Sequence, residues 1–173
     1  MAVNLQELCI RTYPDPVLRR RADPVERVDD EVRAVARRML ELMHDVHGVG
    51  LAAPQVGLPW RLFVVNATGE PADDRVYINP ALHNPARQTE PRDEGCLSIP
   101  GITAEVTRPA AIRIVARGLE GEPIDEQAEG LLARALQHEY DHLEGVLIID
   151  RMTPVDRMAN KRALRELEAE HSA

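Results

Sequence analysis

Aromatic residues are scarce in this chain. One Phe, one Trp and three Tyr make up 3% of 173 residues, so the 44% hydrophobic share is mostly aliphatic and a core has to be built from Leu, Val, Ile and Ala. Cysteine is scarcer still: Cys9 and Cys96 are the only two, too few for a disulfide framework. That excludes a small secreted scaffold, predicts a reducing, cytoplasmic setting, and leaves a thiol free for chemistry. No apolar run approaches the roughly 20 residues of a membrane span, and residues 1–30 lack the apolar stretch of a signal peptide. Positive charge is in deficit. A formal net charge of -8 argues against a general DNA or RNA binder. There is no Gly-x-Gly-x-x-Gly or Walker pattern to cradle phosphates, no internal repeat and no low-complexity linker. The length suits one domain, expected to span 1–173.

What the chain does carry is concentrated at Gln137-His138-Glu139-Tyr140-Asp141-His142-Leu143. Histidines four apart on a helix lie one above the other, so their rings can converge on one ion, and His-Glu-x-x-His is a metal signature. Glu139 points beside such an ion, where it is better placed to move protons than to ligate. The helix is expected to begin near Glu129 and to stop at Gly145, with Leu131, Ala135, His138 and His142 on one face and Leu132, Leu136 and Leu143 on a core-facing one.

Upstream, Pro14, Pro16 and Pro24 predict an extended, polar lead-in over residues 11–28. Asp29 or Asp30 then caps an amphipathic helix whose stripe is Val32, Val35, Met39, Leu42, Met43 and Val46, closed at Gly48. Strands are expected at 60–65, 76–78 and 112–117, with turns at Asn79-Pro80 and Asn84-Pro85. A last helix is expected over about 154–170, with Arg157, Lys161, Arg162 and Arg165 ahead of an acidic end.

A catalytic metal site wants three protein ligands and one open position. A third histidine in the metzincin frame would fall at position 148, which is Ile148 and cannot coordinate. Glu166, Glu168 and Cys96 remain as candidates. Cys96 is flanked by glycine in Glu94-Gly95-Cys96-Leu97-Ser98, a context that can present its sulfur or simply bury it.

Three segments together resemble the motifs of peptide deformylases: Gly-Val-Gly-Leu-Ala-Ala-Pro-Gln at 48–55, Glu-Gly-Cys-Leu-Ser at 94–98 and Gln-His-Glu-Tyr-Asp-His-Leu at 137–143. Their order and separation match, and the likeness extends to Asp15-Pro16-Val17-Leu18 and Tyr77-Ile78-Asn79-Pro80. The resemblance implies that Cys96, His138 and His142 hold one divalent ion, Fe2+ in the cell with Zn2+, Ni2+ or Co2+ as alternatives. It implies Glu139 as the proton carrier, and the Gln55 amide and Leu97 N–H as donors to a developing oxyanion. The implied reaction is removal of the formyl group from formylmethionyl nascent polypeptides, releasing formate. Gly48, Val49 and Gly50 would then pair with the substrate backbone, with Gly95 beside it, and Leu131 and Ala135 would wall the methionine pocket, with Arg134 at its rim. The family also links its C-terminal helix to the ribosome. The expected fold is α+β: antiparallel strands around a central metal-binding helix, with an N-terminal amphipathic helix and a C-terminal helix.

Overall fold

The computed structural model describes residues 3–171. The first helix, α1 (Asp30–Asp45), is capped as the sequence requires: the Asp29 side chain accepts from the Val32 N–H. Val32, Val35, Met39 and Met43 are buried, but Val46 at the end of the stripe is exposed. The helix stops at Asp45 rather than at Gly48, and His47 takes the left-handed turn at φ 54°. Gly48 nevertheless closes it, its N–H reaching back to the Met43 carbonyl at 2.8 Å.

Among the described residues seven strands follow in two sheets. The larger has five antiparallel strands in the order β1 (Gly50–Ala52), β2 (Leu62–Val65), β3 (Arg75–His83), β6 (Ala111–Arg117), β7 (Pro123–Glu129). The smaller is a hairpin of β4 (Thr89–Cys96) and β5 (Ile99–Pro109). Asn79-Pro80 is a bulge inside β3 rather than a terminal turn: Asn79 adopts φ 51°, the register with β6 shifts there, and its side chain bonds both backbone groups of Val25. The sequence reading lacked β1, β4, β5 and β7, and Cys96 lies at the tip of the β4–β5 hairpin.

The central helix α2 (Gly130–Leu143) lies between the sheets. Ala133, Leu136 and Leu143 pack with Phe63, Tyr77, Ile112 and Ile114 of the larger sheet. The small side chains at 133 and 135 let the helix approach closely. Gly145 ends it at φ 73°, where a Cβ would lie 2.5 Å from the Arg19 carbonyl oxygen, so only glycine fits. The lead-in over 11–28 is extended in part but not merely polar: Leu18 is fully buried, and Ala22 and Asp23 hydrogen-bond to Leu143 and Pro59. It straps the end of α2 to the sheet.

A short α3 (Ile148–Arg151) follows. The helix expected over 154–170 is two: α4 (Pro154–Ala159) and α5 (Lys161–His171), broken at Asn160. Asn160 gives its side-chain N–H to the carbonyls of Asp156 and Thr103, tying the break to β5. Leu164 and Leu167 rest against the cluster that contains Cys96 and Ile99, whereas Val155 and Met158 are 75% and 77% exposed. Among the described residues no helix is long and apolar enough to cross a membrane.

Candidate metal centre

The hairpin tip and α2 meet at three donor atoms. Cys96 Sγ lies 3.3 Å from His142 Nε2, and His142 Nε2 lies 3.3 Å from His138 Nε2. All three ligand atoms fall within 4.8 Å of one another. Ligands bonded about 2.0–2.3 Å from a tetrahedral ion stand roughly 3.3–3.6 Å apart, so the spacing fits a shared ion. The remaining candidates for third ligand are engaged elsewhere: Glu166 pairs with Arg162, and Glu168 accepts from the Tyr13 hydroxyl.

His138 donates from Nδ1 to Glu94 Oε2 at 3.0 Å, which fixes the tautomer and leaves Nε2 for the cluster. Burial alone would raise the Glu94 carboxyl. The hydrogen bonds from His138 and Arg108 outweigh it, and the group is held well below the usual carboxylate range. For His142, burial and then the neighbouring His138 push the ring well below its ordinary value, favouring the neutral form that binds metals. His138 is pushed down by burial but raised further by Cys96 and Glu94.

Glu139, next to His138 on α2, is buried. Burial raises its carboxyl to about 7, only partly countered by His138 and Arg108, which poises it to exchange protons near neutral pH. Its side chain lies directly over Gly50, where a Cβ would come within 2.7 Å of Glu139 Cδ and Cγ. The glycine was expected to admit a substrate backbone; it also admits this carboxylate.

Gln55 sits on a single 3₁₀ turn, Ala53–Val56, directly after β1. Its Oε1 accepts from the Ala52 N–H at 2.8 Å, so Nε2 must face the other way, 3.1 Å from Ser98 Oγ and 3.7 Å from Cys96 Sγ. The amide donor is therefore aimed at the cluster before any substrate arrives. Ser98 is held in turn by its carbonyl, which accepts from the Tyr13 N–H.

These groups open on one cavity of about 570 Å³. Its wall includes Gly48, Val49, Gly50, Gln55, Gly95, Cys96, Leu97, Leu131, Ala135, His138 and Glu139, which brings together every site residue expected from the sequence except His142, buried just behind. Leu131 is 47% exposed at the mouth, and Ala135 lies deeper. Arg134, expected at the rim, also lines this cavity. It is buried, donating to Glu94 Oε1, Val106 O and Glu90 O.

The sequence reading missed Glu94, Arg108 and Asp141 as functional groups. A signal existed for Arg108. Ile102, Ala104, Val106 and Arg108 alternate with Thr103, Glu105 and Thr107, so a charge occupies the inward phase of a strand and requires a buried partner.

A model of the polypeptide deformylase family matches residues 8–158. The peptide deformylase of Chromohalobacter salexigens is 43% identical over 169 residues, 98% of each chain. A crystal structure of peptide deformylase from Plasmodium falciparum superposes with a TM-score of 0.92 at 38% identity, covering 95% of this chain and 97% of that one. One from Legionella pneumophila gives 0.88 at 36% identity, again covering 95% and 97%.

Proposed function

The chain belongs to the polypeptide deformylase family, and from that premise we propose how its own residues carry the reaction. It is an enzyme that removes the N-terminal formyl group from nascent polypeptides. Water is consumed, formate leaves, and a free amino terminus remains.

Cys96, His138 and His142 are the ligand set for one divalent ion. The support is the convergence of one sulfur and two Nε2 atoms, with His138 already oriented by Glu94. Such an ion supplies a Lewis acid for the formyl oxygen and makes water acidic enough to ionise near pH 7. A His2Cys set suits iron(II), zinc, nickel or cobalt. Iron(II) in the cell is the reading taken here, and metal analysis of anaerobically prepared protein tests it.

Glu139 accepts the proton of the attacking water and delivers it to the departing amine nitrogen, a task suited to a buried carboxyl poised near neutrality. As the formyl carbon becomes tetrahedral, its oxygen gathers negative charge. Gln55 Nε2 and the Leu97 N–H donate to that oxygen; Gln55 is already locked with its donor facing the cavity.

The substrate enters along β1. That strand is the outermost of its sheet, paired with β2 on one side only, and Gly48, Val49 and Gly50 border the cavity on the other. An extended peptide can add there as a strand, gaining main-chain hydrogen bonds without a sequence requirement, with Gly95 on the opposite wall. Leu131 and Ala135 receive the methionine side chain.

The described chain works as one catalytic domain in a cytoplasmic setting. Docking on the ribosome through the exposed basic face of α4 and α5, at Arg157, Lys161, Arg162 and Arg165, completes the reading. Charge reversal of these four residues should abolish salt-sensitive co-sedimentation with ribosomes. The observation that carries the proposal is the three-donor cluster beside Glu139. Formate release from formyl-Met-Ala-Ser by fully metallated protein tests it; no release removes the catalytic assignment.

A further inference from the structure

Behind the cluster, two carboxylates are held by three guanidinium groups. Glu94 on β4 receives Arg108 twice, Nε to Oε1 at 2.6 Å and Nη2 to Oε2 at 2.9 Å, and Arg134 Nη1 at 2.7 Å. Asp141 on α2 immediately precedes His142. It receives Arg108 Nη1 at 2.9 Å, and Arg151 through Nε and Nη2, both at 2.5 Å. Arg108 is thus shared between the two acids, and each acid has a second guanidinium of its own.

We propose that Arg151, on α3 and outside the cavity, is a positioning residue for the metal centre, acting along the line Arg151–Asp141–Arg108–Glu94–His138. With Arg151 in place, Asp141 has a forked partner, and Arg108 is free to lay its Nε–Nη2 edge on Glu94. Glu94 in turn fixes the His138 ring through Nδ1. Without Arg151, Arg108 is drawn to the under-neutralised Asp141, its hold on Glu94 loosens, and the His138 ring is released. Exposed ion pairs usually contribute little. This one differs in two ways: it is bidentate, and the Asp141 side chain is only 12% exposed, so leaving that carboxylate unpaired is costly. The inference rests on the ligand set proposed above.

The test compares wild type with Arg151→Ala and Arg151→Lys. Zinc affinity is measured by competition with a chelator, the visible absorption of the cobalt-substituted protein is recorded, and thermal unfolding is followed without metal. The zinc dissociation constant of Arg151→Ala should rise several-fold, short of the roughly 10–100-fold that losing a ligand's direct outer partner such as Glu94 costs, and the cobalt–thiolate bands should shift. Arg151→Lys should fall between the two, since an ammonium cannot fork. An Arg151→Ala protein with wild-type zinc affinity and unshifted cobalt bands overturns the proposal, even if it melts earlier. Should that variant not fold, Arg151→Lys decides alone: an unchanged zinc constant overturns the clamp, and a rise of threefold or more supports it. Wild-type protein that takes up no zinc overturns the ligand assignment itself, and the clamp with it.

Discussion

Gly50 and Glu139 share one space. The carboxylate arm of the helix residue lies where any side chain on the strand residue would begin. A glycine on β1 and a glutamate next to His138 and three residues before His142 are therefore a matched pair, although 89 positions separate them.

Gly50→Ala should displace Glu139 without touching the ligand cluster. A misplacement of about 1 Å costs on the order of a hundredfold in rate. Formate release should fall by that order while metal content per chain stays at the wild-type level. Full activity in this variant would mean that Glu139 tolerates relocation and is not the proton carrier.

The Glu139 carboxyl also makes stability depend on pH. Burial raises it from 4.5 to about 7, so between those values the folded metal-free protein holds a proton that the unfolded chain has released. The associated stability is fully present below about pH 4.5 and is lost as pH rises through 7. Over that window the loss is at most about 3 kcal/mol. Urea titrations of metal-free wild type and Glu139→Gln should diverge across it, with the variant keeping its stability. The same variant should lose about 10²–10⁴ in kcat, the usual contribution of a general base.

Cys96→Ala removes the sulfur but leaves both imidazoles. The protein should keep its circular dichroism spectrum and lose nearly all bound metal on dialysis. A variant that retains one ion per chain would point to a carboxylate ligand, as in a peptidase cleaving internal amides.

Gln55→Ala removes the donor proposed for the reacting oxygen and leaves the Ala52 N–H without its acceptor. A drop of about 10²–10³ in kcat with unchanged metal content is expected. Stability should fall by about 1–3 kcal/mol, the cost of an orphaned buried group. A Gln55→Ala protein with wild-type kcat would deny Gln55 its role.

Local pattern carried much of this molecule. The Val32–Met43 stripe and the Asp29 cap are nearest-neighbour physics and stand in the structure as read. The four-residue spacing of His138 and His142 holds because a helix is periodic. What the sequence concealed is pairing at a distance. Glu94 reads as one more surface acid in Arg92-Asp93-Glu94, and only the inward phase of β4 shows that it is buried against Arg108 and Arg134. Arg151 sits in a charged stretch, Asp150-Arg151, that looks solvated until Asp141 is placed beside it. β7 was hidden for another reason: it is an outer strand with Asp125, Gln127 and Glu129 facing out, so its apolar half is just Ile124 and Ala128. Asn160 breaks the last helix through a bond to Thr103, 57 residues away, which no helical periodicity encodes.

The brevity of β1 has a bearing on how the molecule behaves in a crowd. An unpaired strand is an invitation to any other extended chain, including another copy of the same protein. Here the ladder is three residues long, and the chain passes into the 3₁₀ turn Ala53–Val56, with Pro54 as its second residue. Sheet-to-sheet stacking would gain only a few bonds before running out of partner, so the edge can stay open for a short visitor without seeding aggregates.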